Sequence, residues 1–103
     1  MESVAWGDKR IEKEILSSKM PVLVEFYSKW CHPCQVMEPI VENVRTEFAN
    51  KAKVFAFDIE NNRALANKFA VLSVPTSIIF RDGKRVKTMT GIRDKQELVT
   101  LLN

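Results

Sequence analysis

The sequence predicts an α/β fold in which a central mixed β-sheet is flanked by helices on both faces. Short, nearly continuous runs of β-forming residues alternate with longer stretches whose apolar residues recur at helical spacing. An Asp-Gly pair between two further strand-like segments adds a β-hairpin near the end of the chain. The predicted order of elements is therefore α-β-α-β-α-β-β-α.

The first half of the chain supplies two helices and two strands. Residues 8–18 have apolar side chains at the spacing of a short amphipathic helix. The runs at 21–28 and 53–59 are rich in β-formers on both faces, as expected of strands that are covered on both sides. Between them, apolar residues at helical spacing over 34–48 predict a long helix with one solvent-exposed face.

The second half supplies a helix, two strands joined by a turn, and a closing helix, at 61–70, 76–90 and 93–102. Asp82-Gly83 predicts the hairpin turn. Asp94 and Glu97 stand in capping-box spacing at the start of the last helix. We expect the alternating part of the chain to form parallel crossovers and the hairpin to add an antiparallel edge. The residues before position 8 are compatible with a short opening strand.

Length and composition favour one globular domain over residues 1–103. The net charge of +3 comes from 16 basic and 13 acidic residues that are interspersed along the chain, which argues against a nucleic-acid-binding function. The N-terminus lacks the apolar core of a signal peptide, and the longest apolar run is too short to span a membrane. We therefore expect a cytoplasmic monomer that binds neither nucleic acid nor membrane.

The two cysteines, Cys31 and Cys34, enclose a His-Pro pair and allow several interpretations. A zinc site needs four ligands, and His32 lies badly placed inside the pair, so one chain supplies too few. Two identical chains could still share a metal or an iron–sulfur cluster across an interface. A purely structural disulfide would close a very small loop and stabilise the fold little. Two unrelated free thiols are a further alternative.

The position of the pair favours redox chemistry. It falls where a predicted buried strand ends and a long helix begins. The unpaired N–H groups and the dipole at a helix N-terminus stabilise a thiolate, which is the nucleophile of disulfide exchange. Cys31 precedes the helix, near solvent, whereas Cys34 lies one turn inside it. We therefore predict that Cys31 attacks and Cys34 resolves.

On these motifs the chain resembles the thioredoxin family. The resemblance rests on "VLVEFYSKWCHPCQVMEP", on a Val-Pro-Thr about forty residues later, and on "FRDGKRV" followed by "TGI". It covers the chain from about Ile11 to the end. It implies a thioredoxin fold and a dithiol–disulfide oxidoreductase that reduces protein disulfides. It also implies disulfide-containing target proteins, a thioredoxin reductase as electron donor, and no bound cofactor.

Several positions depart from the usual pattern of the family. The sequence has His32-Pro33 where Gly-Pro is most common, Glu25 where the buried acid is usually Asp, Tyr27 where Trp is frequent, and Ala56 where a Lys commonly neighbours the acid. We expect His32 to tune the redox couple by stabilising the Cys31 thiolate, and Pro33 to keep the turn rigid. The alternative for His32 is an exposed residue without a role.

Glu25 lies among apolar neighbours in its predicted strand. The resemblance implies a proton relay, in which this acid, with a pKa raised by burial, takes the proton from the resolving thiol. The alternative is a glutamate near the strand end whose long side chain reaches solvent. The longer side chain of Glu moves the carboxyl relative to the usual Asp.

The resemblance also implies a substrate-binding surface. The peptide bond before Pro75 would be cis and would leave the backbone groups of Val74 free to pair with an extended substrate. The simpler alternative is a proline that starts a strand. Trp30 is either exposed beside Cys31 or a core aromatic. The apolar surface for protein substrates would consist of Trp30, Pro33, Val74, Pro75, Gly91 and Ile92.

Two other functions remain open from the sequence. One is a disulfide oxidant or isomerase of the same fold, which His32 favours and the missing signal segment disfavours. The other is a non-enzymatic, chaperone-like module that binds partners through the Trp30–Pro75 surface. A reduction potential separates the oxidant from the reductant. Loss of disulfide reduction in Cys31→Ser would separate the enzyme from the binding module.

Overall fold

The computed structural model describes residues 8–103 as a mixed four-stranded sheet with helices on both faces. The helices are α1 (Asp8–Ser17), α2 (His32–Glu47), α3 (Arg63–Lys68) and α4 (Lys95–Leu102). The strands are β1 (Val22–Tyr27), β2 (Lys53–Asp58), β3 (Thr76–Arg81) and β4 (Lys84–Thr90). This confirms the predicted order of elements; the opening strand considered before residue 8 lies outside the described residues.

The strands lie side by side in the order β2-β1-β3-β4. β1 and β2 are parallel, as the sequence predicted, but β3 runs antiparallel to both β1 and β4. The expectation of parallel crossovers throughout the alternating part was therefore wrong for β3. α3 is six residues long, and a helix of that length rises only about 9 Å, whereas a six-residue strand is about 20 Å long. The helix is therefore too short to return the chain to the end of the sheet where β1 and β2 begin. β3 instead begins opposite Phe26, at the end of the sheet where β1 and β2 finish.

Alternation along the strands divides the core into two layers. One face packs against α1 and α3 and the other against α2 and α4. In β1 the even-numbered Val22, Val24 and Phe26 belong to the first layer, and Leu23 belongs to the second. Because side chains of a strand alternate between faces, every odd-numbered residue of β1 faces α2. This rule places Glu25 on the α2 side of the sheet. None of the helices described over residues 8–103 is long and apolar enough to cross a membrane.

The turn between β3 and β4 is the predicted Asp82-Gly83 hairpin. Both residues have positive φ angles, 53° for Asp82 and 77° for Gly83, as a two-residue turn of this kind requires. A Cβ atom on Gly83 would lie 3.0 Å from the carbonyl oxygen of Leu16, at the end of α1. The turn is therefore packed against α1, and glycine is required there for space as well as for backbone conformation.

Candidate active site

Cys31 and Cys34 form a disulfide at the start of α2, with their Cα atoms 5.1 Å apart. Cys31 is the N-cap residue of the helix and has an extended backbone. Its Sγ accepts a hydrogen bond of 3.1 Å from the backbone N–H of Cys34. The sulfur thus occupies the position where a helix start offers its unpaired N–H groups to a negative charge. This geometry stabilises a thiolate on Cys31 whenever the disulfide is open.

The two sulfur-bearing residues differ in their access to solvent. Cys34 is buried, with 3% of its surface exposed, and contacts Tyr27 and Ala56. Cys31 is only half-buried, and its Sγ lies 3.7 Å from the carbonyl oxygen of Val74. A bulky protein disulfide can therefore reach Cys31 more readily than Cys34. This difference supports the predicted division into attacking and resolving thiols.

Glu25 is completely buried in the middle of β1. Its neighbour in β2 is Ala56, which contacts Cys34, and its neighbour in β3 is Ser77. Burial raises the pKa of Glu25 to about 8, partly opposed by a hydrogen bond from Ser77. The alternative of a glutamate that reaches solvent is therefore wrong. A carboxyl group with this pKa can exchange a proton near neutral pH.

Ser77 is a contact that the sequence analysis missed. Its hydroxyl Oγ lies 2.9 Å from one carboxyl oxygen of Glu25 and 3.0 Å from the other. The two residues are 52 positions apart and meet only because β1 and β3 pair in an antiparallel register. The one signal in the sequence was a serine directly after the Val-Pro-Thr segment, before the apolar run at 78–80.

The peptide bond between Val74 and Pro75 is cis, as the resemblance implied. The carbonyl oxygen of Pro75 accepts a hydrogen bond of 2.9 Å from the N–H of Gly91, which ties the loop to the end of β4. Over the described residues, Val74 forms no hydrogen bond to another backbone group. Its carbonyl oxygen lies beside the Cys31 sulfur.

Exposed apolar side chains surround the disulfide. Trp30 is 86% exposed and Ile92 is 52% exposed, so the alternative of a core tryptophan is wrong. Pro33 is also exposed, and Val74 is half-buried against the cysteines. Pro75, which the sequence analysis included in the same surface, is buried and therefore does not form part of the exposed surface.

Leu72, which the sequence analysis did not select, is 96% exposed two residues before Val74. Leu72 and Val74 both line a pocket of about 450 Å³ whose other lining residues include Arg63 and Ala66 of α3. Nothing in the local sequence distinguishes an exposed loop leucine from a buried one, because its exposure depends on how the loop before Pro75 lies on the fold.

A second pocket, of about 220 Å³, opens directly beside Cys34. It is lined by Tyr27, Ser28, Lys29, Cys34, Gln35 and Glu38. Tyr27 is buried against Cys34, and His32 is exposed at the first position of α2. No group of three or more His, Cys, Asp or Glu side chains that could hold a metal ion occurs in the part of the chain that the structure describes.

Comparison with known proteins identifies relatives across nearly the whole chain. The family model for thioredoxin matches residues 3–103. The thioredoxin of Rickettsia bellii is 35% identical over 96 residues, which cover 93% of this chain and 91% of the relative. Thioredoxin 1 of Synechococcus elongatus is 34% identical over 101 residues, covering 98% and 94%. A thioredoxin of Mycobacterium tuberculosis is 38% identical over 96 residues, covering 93% and 83%.

Proposed function

Because the chain belongs to the thioredoxin family of dithiol–disulfide oxidoreductases, we propose that its redox couple works as a reductant of disulfides in other proteins. The observation that carries this proposal is the hydrogen bond from the Cys34 N–H to the Sγ of Cys31. It marks Cys31 as the sulfur that the start of α2 stabilises in its anionic form. The dithiol form of the protein is the one that acts on substrates.

The reaction consists of two exchange steps. The Cys31 thiolate attacks one sulfur of the substrate disulfide, forms a mixed disulfide and expels the other substrate sulfur as a thiolate, which takes up a proton. Cys34 then loses its proton and attacks the Sγ of Cys31. The mixed disulfide breaks, the second substrate thiolate leaves, and the Cys31–Cys34 disulfide forms. Two electrons pass from the protein dithiol to the substrate disulfide.

We assign Glu25 as the base that takes the proton of Cys34. Burial raises the pKa of Glu25 to about 8, so the carboxylate is strong enough as a base to take a thiol proton near neutral pH. Glu25 lies on the α2 side of the sheet beside Ala56, which in turn contacts Cys34.

The substrate surface follows from the exposed groups around Cys31. The backbone N–H and carbonyl of Val74, which pair with no other backbone group over residues 8–103, suit an extended substrate segment that adds as a strand next to the disulfide. Trp30 and Ile92 are exposed apolar side chains that can contact such a segment. Such a surface would recognise the backbone and the apolar side chains of a substrate and not a particular sequence, which fits target proteins of many sequences.

Each turnover leaves the protein oxidised, so an electron donor must restore the dithiol. We assign this role to a thioredoxin reductase, and we place the protein in a reducing compartment, the cytoplasm, where protein dithiols are maintained. No bound cofactor takes part in the exchange steps themselves.

Cysteine variants test the proposal directly. The wild-type protein, supplied with a small-molecule dithiol, is expected to reduce a disulfide-containing test protein, and Cys31→Ser is expected to lose this activity almost completely. Cys34→Ser should accumulate mixed disulfides with target proteins, visible as bands that disappear on addition of reductant. Equal behaviour of wild type and Cys31→Ser would favour a binding module, and stronger trapping by Cys31→Ser would reverse the assigned roles.

A further inference from the structure

The hydroxyl of Ser77 contacts both oxygens of the Glu25 carboxyl group. The distances are 2.9 and 3.0 Å, and both side chains are fully buried. Over residues 8–103, Ser77 is the one hydrogen-bond partner of this carboxyl group. A buried carboxyl group without any partner would be costly in free energy. The orientation of the acid therefore depends on a single hydroxyl group.

The opposite neighbour of Glu25 provides no polar group. Ala56 is its partner in β2 and offers only a methyl group. On the β3 side, Ser77 itself pairs with Met89 of β4, so no second polar side chain follows it in the sheet. Of the charged residues near this site, Lys29 and Glu38 line the pocket beside Cys34, and Asp58 is buried in β2 two positions after Ala56. Ser77 thus stands where the sheet would otherwise leave Glu25 without a partner.

On this geometry, and resting on the proposed role of Glu25, we infer that Ser77 is a positioning residue that holds the Glu25 carboxyl group in place for proton transfer with Cys34. A hydroxyl group can both donate and accept a hydrogen bond, whereas an ammonium group only donates. When Glu25 is ionised, Ser77 donates to a carboxylate oxygen. When Glu25 is protonated, Ser77 can also accept from the carboxyl O–H. The same residue therefore serves both states of the relay.

Removing the hydroxyl should alter the titration of Glu25 in a defined direction. The hydrogen bond from Ser77 lowers the pKa of Glu25, against the effect of burial. Without it, the ionised form loses its donor, and the pKa should rise further. A hydrogen bond to a buried charged group corresponds to a shift of about one pH unit. A serine that only filled space would not move this titration when replaced by alanine.

The first measurement follows the Glu25 carboxyl carbon by NMR across a pH titration of ¹³C-labelled, oxidised protein, with Glu25→Gln used to assign the signal. Ser77→Ala should move the midpoint upward by about one pH unit. Ser77→Thr, which keeps the hydroxyl, should stay close to wild type. The matched control is Ser18→Ala, which removes another buried serine hydroxyl, one that hydrogen-bonds to the Met20 carbonyl, and should leave the midpoint unchanged.

This titration requires no turnover, so it remains informative even if the protein did not reduce disulfides. The second measurement is the pH dependence of mixed-disulfide resolution by Cys34. Ser77→Ala should shift that profile upward in the wild-type background and have no such effect in the Glu25→Gln background. An unchanged Glu25 midpoint in Ser77→Ala, or a profile shift that persists in Glu25→Gln, would overturn the inference.

Discussion

Glu25 and Ala56 are register partners in adjacent parallel strands, and both side chains are fully buried. A methyl group thus occupies the position beside the acid. No positive charge on β2 opposes the effect of burial at this point. The high pKa of Glu25 and its dependence on Ser77 both follow from this arrangement.

Glu25→Gln is expected to stabilise the protein in a pH-dependent manner. The pKa of Glu25 is about 8 in the folded protein, against an ordinary value of 4.5. Between these pH values the folded state binds more protons than the unfolded state, so the free energy of unfolding falls as pH rises. Each pH unit corresponds to about 1.4 kcal/mol, which gives a total on the order of 5 kcal/mol. Glutamine does not ionise, so Glu25→Gln does not lose this free energy of unfolding as the pH rises.

Denaturant unfolding of wild type and Glu25→Gln from pH 4 to pH 9 measures this difference. The two proteins should be close in stability near pH 4 and diverge toward pH 8, with no further change above it. Glu60→Gln, which alters an exposed carboxyl group, is the control and should follow the wild-type curve. A stability difference that is constant over the whole range would contradict the buried ionisable role of Glu25.

The same variant should slow one catalytic step selectively. Glu25→Gln removes the base that we assign to Cys34, and general acid–base groups typically contribute about 10²-fold or more. We therefore expect resolution of a preformed mixed disulfide to slow by roughly this factor near pH 7. Alkylation of Cys31 in the reduced protein should change little, because Cys31 draws its stabilisation from the start of α2. Equal slowing of both reactions would indicate a general disturbance of the site.

The sequence predicted the cysteine site well because its signals are local. A buried strand, a Cys-X-X-Cys segment and a helical repeat follow one another within about thirty residues, so their junction places Cys31 at the helix start without any knowledge of the tertiary fold. The same holds for the Asp82-Gly83 turn, whose residue types alone favour the positive φ angles that the structure shows.

The strand pairing could not be predicted in the same way. The direction of β3 depends on the path from α3 through the loop before Pro75, and its register on side chains far away in the sequence. The hydrogen bond between Ser77 and Glu25 consequently could not be predicted, because it depends on the pairing of β1 with β3. The exposure of Leu72 is of the same kind, since it is a property of how the loop lies on the finished fold.

His32→Gly is expected to lower the reduction potential of the Cys31–Cys34 couple. His32 is exposed at the first position of α2, next to Cys31, so a positive charge on its side chain would favour the thiolate and thus the reduced form. Exposed charge pairs contribute roughly 0.5 kcal/mol, and 30 mV corresponds to about 1.4 kcal/mol for this two-electron couple. The shift should therefore be on the order of 10 mV.

Equilibration with glutathione measures this potential, and thiolate absorbance of the reduced protein should fall in parallel. The comparison is made at pH 6 and at pH 8, and His32→Gly should have the lower potential. His32→Lys, which keeps a positive charge, should not lower the potential. An identical potential in wild type and His32→Gly at both pH values would show that His32 is a surface residue without redox influence.

Gly83→Ala is expected to destabilise the fold more than Gly91→Ala, although the two glycines have similar φ angles of 77° and 81°. The left-handed conformation costs a non-glycine residue about 1–2 kcal/mol at either position. At Gly83 the added Cβ would also meet the Leu16 carbonyl oxygen at 3.0 Å, whereas nothing lies within 4 Å of a Cβ at Gly91. The denaturant midpoints of the two variants, compared with wild type at a constant m-value, measure the loss of stability in each. Equal losses in the two variants would mean that the hairpin turn moves away from the end of α1 at little cost, and that only backbone conformation requires glycine at position 83.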